Sequence, residues 1–167
     1  MDEDLVNFAK HELERLKLPY DMLYEIEELF VNFSRDKHKS VSHLDKEKVM
    51  KCVIWAVARK RGHYILFTEI CNGLDRKTMA SIINKLREYL GYPKYLNFNS
   101  TGYVERVGQL LDLQYKDLEK IFNNLCRETP ISILAKFNEY LNIDFDKLLE
   151  IRPTLTKQQM ELYKKNK

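Results

Sequence analysis

Two short basic and polar runs stand where a helix would begin after a tight turn. The first is Arg76-Lys77-Thr78, after the turn signal Asn72-Gly73-Leu74-Asp75, and the second is Thr156-Lys157-Gln158, after Arg152-Pro153-Thr154. Backbone amides at the start of a helix attract phosphate, and Lys, Thr and Gln side chains can contact base edges in a major groove. These residue types at this spacing indicate polyanion chemistry, with duplex DNA as the expected ligand.

The other reactive side chains do not predict a metal or nucleophilic site. His38 and His43 are not flanked by carboxylates or thiolates in a pattern that suggests a metal-binding cage, and a structural zinc site needs about four ligands. Cys52 and Cys71 fall on apolar helix faces, which predicts core residues rather than catalytic thiols. No glycine-rich phosphate loop is present in the sequence. We therefore expect no enzymatic activity, no cofactor, no metal and no small-molecule substrate.

Charge is distributed unevenly along the chain. Residues 1–30 carry 3 basic and 9 acidic side chains, whereas residues 31–100 carry 14 basic and 6 acidic ones. Residues 101–150 are net −3 and residues 151–167 net +4, so the overall charge of +3 conceals two basic blocks. Both candidate helix starts lie in these blocks, which favours a polyanion-binding face, although helical proteins also cluster surface charge without binding DNA.

Composition narrows the class of protein. A chain of 167 residues that is 44% hydrophobic is typical of a folded domain or two small ones, not of a disordered protein. No apolar run approaches the ~18 residues of a membrane helix, so no membrane partner is expected. The acidic N-terminus differs from a secretory signal, and three widely spaced cysteines predict no disulfide framework. We expect an intracellular protein.

The elements that must position the candidate residues are helices. Apolar residues recur at helical spacing almost throughout, and no alternating strand pattern of any length occurs, so the sequence predicts an all-α fold. The stretch around Trp55, capped by Asp45 and ended by Arg61-Gly62, is apolar nearly all round and should form a buried central helix. Residues 37–43 are polar without periodicity and are predicted to form a loop.

The second half of the chain repeats the first. At a constant offset of 95 residues, six positions match: Phe8 with Tyr103, Leu16 with Leu111, Leu18 with Leu113, Tyr20 with Tyr115, Leu23 with Leu118 and Ile26 with Ile121. The offset then shortens to 78, where Phe67 matches Phe145. The pattern predicts two tandem five-helix repeats, residues 1–97 and 98–167, each ending in a helix-turn-helix, at residues 67–90 and 145–165.

Four stretches of the chain follow the pattern of one known family. They are Val49-Met50-Lys51-Cys52-Val53-Ile54-Trp55-Ala56-Val57-Ala58-Arg59, Phe67-Thr68-Glu69-Ile70-Cys71, Leu16-Lys17-Leu18-Pro19, and Tyr103-Val104-Glu105-Arg106 followed by Leu113. The first three resemble the third helix, the fourth helix and the end of the first helix in the cyclin-like core of transcription factor IIB and its archaeal counterpart, factor B. The last resembles the start of that family's second repeat. The resemblance covers nearly the whole chain and is stronger up to about residue 125.

The resemblance implies two cyclin-like repeats that bind promoter DNA beside the TATA-binding protein and help to position RNA polymerase. It implies that double-stranded DNA is contacted by Arg76, Lys77, Thr78, Ser81 and Lys85 in the first repeat, and by Thr154, Thr156, Lys157, Gln158 and Lys164 in the second. The run Arg59-Lys60-Arg61 at the end of the central helix is a further candidate. It either contacts phosphate or caps the C-terminus of the helix, where cations are favourable.

The chain departs from the family's pattern in two respects. No Cys-x-x-Cys or Cys-x-x-His of a zinc ribbon occurs. The second repeat is compressed, and its third helix carries Asn138 and Glu139 where the family has small apolar residues. The resemblance therefore also fits an antagonist or decoy of initiation that does not recruit polymerase. The expected location is the cytoplasm of an archaeal or virus-infected cell, or a nucleus. A cyclin-like protein-interaction module is the alternative from another function class, with the acidic residues 2–4 and 25–28 facing a partner.

Overall fold

The computed structural model describes residues 1–73, 75–151 and 162. The chain divides into two compact units, Met1–Asn97 and Phe98–Lys167. Within the described residues there are ten α-helices, two 3-10 turns and no β-strand, which confirms the predicted all-α class. None of the helices in this part of the chain combines the length and the apolar character needed to cross a bilayer.

Six α-helices form the described part of the first unit. They are α1 (Glu3–Arg15), α2 (Leu23–Asp36), α3 (His38–Val41), α4 (Lys46–Lys60), α5 (Phe67–Cys71) and α6 (Arg76–Tyr89), with 3-10 turns at Tyr20–Met22 and Lys94–Leu96. Asp45 caps α4 as predicted, because its carboxylate accepts the backbone N–H of Glu47 at 2.9 Å. Asp2 caps α1 in the same way, through the N–H of Leu5.

Helix α4 is the centre of the first unit. Every residue from Val49 to Arg59 is buried, and α1, α2, α5 and α6 all pack against this helix. A helix that is apolar all round is stable only when neighbours cover each of its faces, so the predicted central helix is confirmed. Cys52 and Cys71 are buried in the same core, also as predicted. Burial raises the pKa of the Cys52 thiol, which keeps it protonated and unreactive.

Residues 37–43 differ from their prediction. Instead of an irregular loop, they contain one helical turn, α3, whose Val41 is only 4% exposed. The N–H groups of Val41 and Ser42 donate to the carbonyls of Lys37 and His38, at 3.1 and 2.9 Å. One buried apolar residue in a polar segment produces no hydrophobic period, which is why the sequence indicated a loop.

The described part of the second unit contains four helices, α7 (Ser100–Leu110), α8 (Tyr115–Phe122), α9 (Pro130–Leu141) and α10 (Phe145–Ile151). Pro130 begins α9 at the first helical position, where its missing N–H costs nothing. Helices α7 and α8 approach closely at Gly108, since a Cβ there would lie 2.7 Å from a Leu118 methyl carbon. Of the predicted second helix-turn-helix at residues 145–165, the first helix is α10, and almost all of the remainder lies outside the described residues.

The turn that follows the first helix has the same backbone geometry in both units. In the first unit, Lys17 has a φ of 56°, and the N–H of Leu18 donates to the Leu13 carbonyl at 2.8 Å. In the second unit, Asp112 also has a φ of 56°, and the next N–H donates to the Gly108 carbonyl at 2.9 Å. Each pair of equivalent atoms lies 95 residues apart, so the local conformation follows the offset seen in the sequence.

Candidate nucleic-acid interface

Helix α6 begins directly after a tight turn. Asn72 and Gly73 have φ angles of 43° and 85°, in the left-handed region that these two residue types tolerate best. Asp75 then caps α6, because its carboxylate accepts the Thr78 hydroxyl at 2.6 Å and the Lys77 backbone N–H at 3.0 Å. The Thr78 hydroxyl, followed by the backbone amides, holds the pKa of Asp75 below its ordinary value.

The Asp75 cap changes where a phosphate group can bind. The carboxylate already accepts a hydrogen bond from the Lys77 N–H at the start of α6, and its negative charge repels a second anion at the same point. Thr78 is half-buried and its hydroxyl is committed to the cap. The structure therefore shifts the candidate contacts from the first amides of α6 to the side chains along its exposed face.

This exposed face runs along the whole of α6. Lys77, Ser81, Asn84 and Glu88 follow one another at intervals of three or four residues, which places them on one side of the helix, and all four are exposed. Ser and Asn can both donate and accept hydrogen bonds at base edges, and Asn suits adenine in particular. A Lys ammonium binds phosphate or guanine. We call these four residues the α6 face.

An open groove of about 690 Å³ lies beside the α6 face. Helix α6 forms one wall, and the chain that follows it forms the other, through Tyr92, Leu96 and Asn97 among other residues. The two walls are joined where the Arg87 guanidinium donates to the Leu96 carbonyl at 3.0 Å. Tyr92 is 68% exposed in the lining of the groove, so its ring is available to a ligand.

The structure brings three of the five candidates in the first repeat together in this groove: Lys77, Ser81 and Lys85. Lys85 is half-buried, and its ammonium donates to the Ser40 carbonyl at 3.2 Å, which uses one of three N–H donors. Arg76 is half-buried at the start of α6 and does not line the groove. Thr78 does not line it either, because it faces Asp75.

Arg59 belongs to the interior of the first unit. Its guanidinium donates twice to the Ile65 carbonyl, at 3.1 and 2.9 Å, and lies 3.5 Å from the centre of the Tyr64 ring and 4.9 Å from that of Trp55. Burial lowers the pKa of Arg59, and Tyr64 partly offsets this. Of the two interpretations of the Arg59-Lys60-Arg61 run, a structural role therefore describes Arg59, which fastens the loop after α4.

Lys60 and Arg61 are more exposed, and both form ion pairs with carboxylates. Lys60 Nζ lies 3.0 Å from Glu25, while Arg61 contacts Glu25 at 2.9 Å and Asp21 at 3.1 Å. Partial burial acts to raise the pKa of Glu25, but the hydrogen bonds from Lys60 and Arg61 outweigh it and lower this pKa. Two cations and two carboxylates balance here, and together they join the end of α4 to the start of α2.

The candidates of the second repeat are not placed by the structure. Thr154, Thr156, Lys157, Gln158 and Lys164 all lie outside the described residues. The candidate interface is therefore confined to the first unit, where the α6 face and its groove bring together residues that the sequence separates by up to twenty positions.

Most residues of the groove were not among the sequence candidates, and Asn84, Tyr92 and Asn97 are three of them that could contact a ligand. Asn84 could have been found, because it continues the helical spacing of Lys77 and Ser81. Tyr92 and Asn97 lie beyond the end of α6, on a segment whose return along the helix depends on tertiary contacts. The buried Leu96 and the packing of its 3-10 turn against α4 direct that return, and no spacing in the sequence reveals it.

In the part of the chain that the structure describes, no group of three or more His, Cys, Asp and Glu side chains could hold a metal ion. Comparison with protein-family models, with curated proteins and with solved structures finds no match to this chain.

Proposed function

We propose that this chain is a non-enzymatic, DNA-binding transcription initiation factor of the transcription factor IIB type. The α6 face carries the proposal. It presents Lys77, Ser81 and Asn84 on the second helix of a helix-turn-helix, beside an open groove. Lysine contacts to phosphate would position such a helix on duplex DNA, and Ser and Asn would contact base edges.

Two features of the helices support a cyclin-like scaffold within this proposal. Helix α4 is enclosed by α1, α2, α5 and α6, and its sequence resembles the third helix of the family. The turn after α1 recurs after α7, at an offset of 95 residues. In such a scaffold the second unit supplies a further DNA contact through the candidates between residues 154 and 164, and the TATA-binding protein is the protein partner.

Titration of DNA binding against salt tests the proposal. The full chain is titrated with promoter duplex by fluorescence anisotropy, with and without TATA-binding protein, between 50 and 200 mM salt. The variant Arg76→Glu/Lys77→Glu should lose at least roughly tenfold in affinity, because it replaces the cation of the α6 face and the cation next to it by anions. The matched control is Lys10→Glu/Lys17→Glu, which makes the same charge change at exposed residues of α1 and its following turn and should bind as the wild type does.

The outcome that contradicts the proposal is equally specific. If the wild-type chain forms no salt-sensitive complex with duplex DNA, with or without TATA-binding protein, the α6 face does not bind DNA. A reconstituted transcription assay then separates the two forms of the proposal. Stimulated initiation indicates an initiation factor, and inhibited initiation indicates an antagonist or decoy that occupies the promoter without recruiting polymerase.

A cyclin-like protein-interaction module is the second candidate, and the outer face of α2 favours it. Tyr24 is 78% exposed and Val31 is 41% exposed on this face, with the exposed Glu28 between them. Exposed apolar side chains beside a carboxylate suit a basic protein surface. Tyr24→Ala/Glu28→Lys should weaken binding to TATA-binding protein in calorimetry if this face docks a partner, whereas Arg76→Glu/Lys77→Glu should leave that binding unchanged.

A further inference from the structure

A basic segment lies between α2 and α4, and its basic side chains take part in none of the contacts described above. Residues 37–43 contain Lys37, His38, Lys39 and His43 and no acidic side chain. All four basic side chains are exposed. The segment is nevertheless ordered, because α3 forms within it and Val41 is buried in the core of the first unit.

Two side-chain contacts hold this segment beside α6. The Lys85 ammonium of α6 donates to the Ser40 carbonyl at 3.2 Å, and the Tyr89 hydroxyl of α6 donates to the Asp36 carboxylate at 2.6 Å. Lys85 and Tyr89 are one helical turn apart, so they lie on the same side of α6. Helix α3 is therefore fixed along that side of α6.

The same side of α6 adjoins the α6 face. Lys85 lines the groove together with Lys77 and Ser81, so α3 flanks the candidate interface on one side. The chain through Tyr92 and Asn97 flanks it on the other side. A helix in a major groove, which is about 12 Å wide, brings its flanking elements against the two phosphate backbones that border the groove.

We propose that Lys37 and Lys39 form a second phosphate-binding element, which contacts the DNA backbone at one edge of the DNA major groove that α6 enters. This inference rests on the proposed DNA-binding function. The ligand chemistry is the phosphodiester backbone of a duplex, so the contacts add affinity without reading sequence. The element is particular to the first unit, because residues 123–129 between α8 and α9 include Arg127 as their one basic side chain.

Removing the two charges tests the element. Lys37→Gln/Lys39→Gln, made in the full chain, is titrated with promoter duplex by anisotropy between 50 and 200 mM salt. Each lost phosphate contact lowers the slope of log affinity against log salt by about 0.9, so the advantage of the wild type should shrink about tenfold across this range. The ratio of the affinities for the promoter duplex and for a duplex of unrelated sequence should be the same in this variant as in the wild type. The control Lys10→Gln/Lys17→Gln removes two exposed charges remote from α3 in sequence and should keep the wild-type slope.

Two further variants separate this inference from the proposed function. Lys77→Gln should lower the slope by about one, and Ser81→Ala/Asn84→Ala should change sequence discrimination while keeping the slope. If the wild type shows no salt-sensitive binding, both the function and this inference are overturned. If Lys77→Gln lowers the slope but Lys37→Gln/Lys39→Gln does not, α3 binds no phosphate and the function stands. Circular dichroism should show equal helix content in all variants, because the changed lysines are exposed.

Discussion

At the scale of single residues, Arg59 is a basic side chain next to two others, yet it stabilises the interior of the first unit instead of binding a ligand. Arg59→Ala removes two hydrogen bonds and leaves the Ile65 carbonyl buried without its partner. We expect the free energy of unfolding to fall by about 1–3 kcal/mol, since a buried polar group without a partner costs that much. Urea denaturation followed by circular dichroism measures the loss.

The neighbouring residue supplies the control for that prediction. Lys60→Ala removes an exposed cation from an ion pair with Glu25, and such pairs contribute at most about 1 kcal/mol. If Lys60→Ala destabilises the protein as much as Arg59→Ala does, the internal role assigned to Arg59 is wrong. Neither variant should weaken DNA binding in conditions where the protein is folded, because neither side chain lines the groove.

Glu88 is the one acidic residue of the α6 face, and it should oppose a polyanion. Glu88→Gln removes this charge from a position one turn beyond Asn84, and we expect tighter binding to promoter duplex by about two- to fivefold at 100 mM salt. Anisotropy measures the change. Glu28→Gln makes the same change of net charge on α2. An equal gain from both variants would show that only net charge matters, and that α6 is not the contact surface.

How far the site could be predicted differs from residue to residue. Lys77 and Ser81 are predictable, because helical spacing alone puts both on one face of a helix that follows a turn. The positions of Arg59 and Arg61 are not predictable, although both belong to one basic run. Arg59 is buried in the interior, whereas Arg61 forms ion pairs with carboxylates. Burial and pairing depend on residues far along the chain, such as Ile65 and Glu25, and local sequence does not contain that information.

At the scale of elements, the carboxylates of Glu25 and Asp21 join α4 to the start of α2 through Lys60 and Arg61. The pKa of Glu25 in the folded protein is lowered from its ordinary value of 4.5. The stability that this carboxylate contributes is therefore complete above about pH 4.5 and is lost as the pH falls through the lowered value. Glu25→Gln should reduce the free energy of unfolding at pH 7 and have little effect on it at pH 3.

Urea midpoints at pH 7 and at pH 3 measure this dependence. In the wild type we expect the urea midpoint to decrease from pH 7 to pH 3. In Glu25→Gln this decrease should be smaller, because one of the titrating groups has been removed. Glu28→Gln, at an exposed position on the same helix, should keep the wild-type dependence. An unchanged pH dependence in Glu25→Gln would mean that the ion pairs between α2 and α4 do not hold these helices together.

At the scale of the whole molecule, the sequence predicts the all-α class and the central position of α4 because both depend on long apolar patterns. It misses α3, where a single buried residue, Val41, converts a polar stretch into a helical turn. It also misses the return of the chain after α6, which forms the second wall of the groove. Both features are held by tertiary contacts rather than by local propensity, and both flank the candidate interface.

The recurrence of one turn in both units makes a prediction about the molecule as a whole. Lys17 and Asp112 are exposed and share a φ of 56°, a conformation that costs an ordinary residue roughly 1 kcal/mol and glycine almost nothing. Lys17→Gly and Asp112→Gly should therefore each raise the free energy of unfolding by up to about 1 kcal/mol. The gain should be smaller for Asp112, because Asp tolerates this conformation better than Lys.

Thermal and urea unfolding measure the two changes, and a glycine inside a helix provides the control. Lys10→Gly, at an exposed position in the interior of α1, should lower stability by about 1 kcal/mol, since there the added chain entropy of glycine has no strain to offset it. Gains at both turn positions mean that the same backbone constraint acts at Lys17 and Asp112, as we expect if the two units are tandem repeats. A gain at one position and a loss at the other would mean that the two turns are alike in shape only, and the matched positions in the sequence would then lose their significance for a tandem repeat.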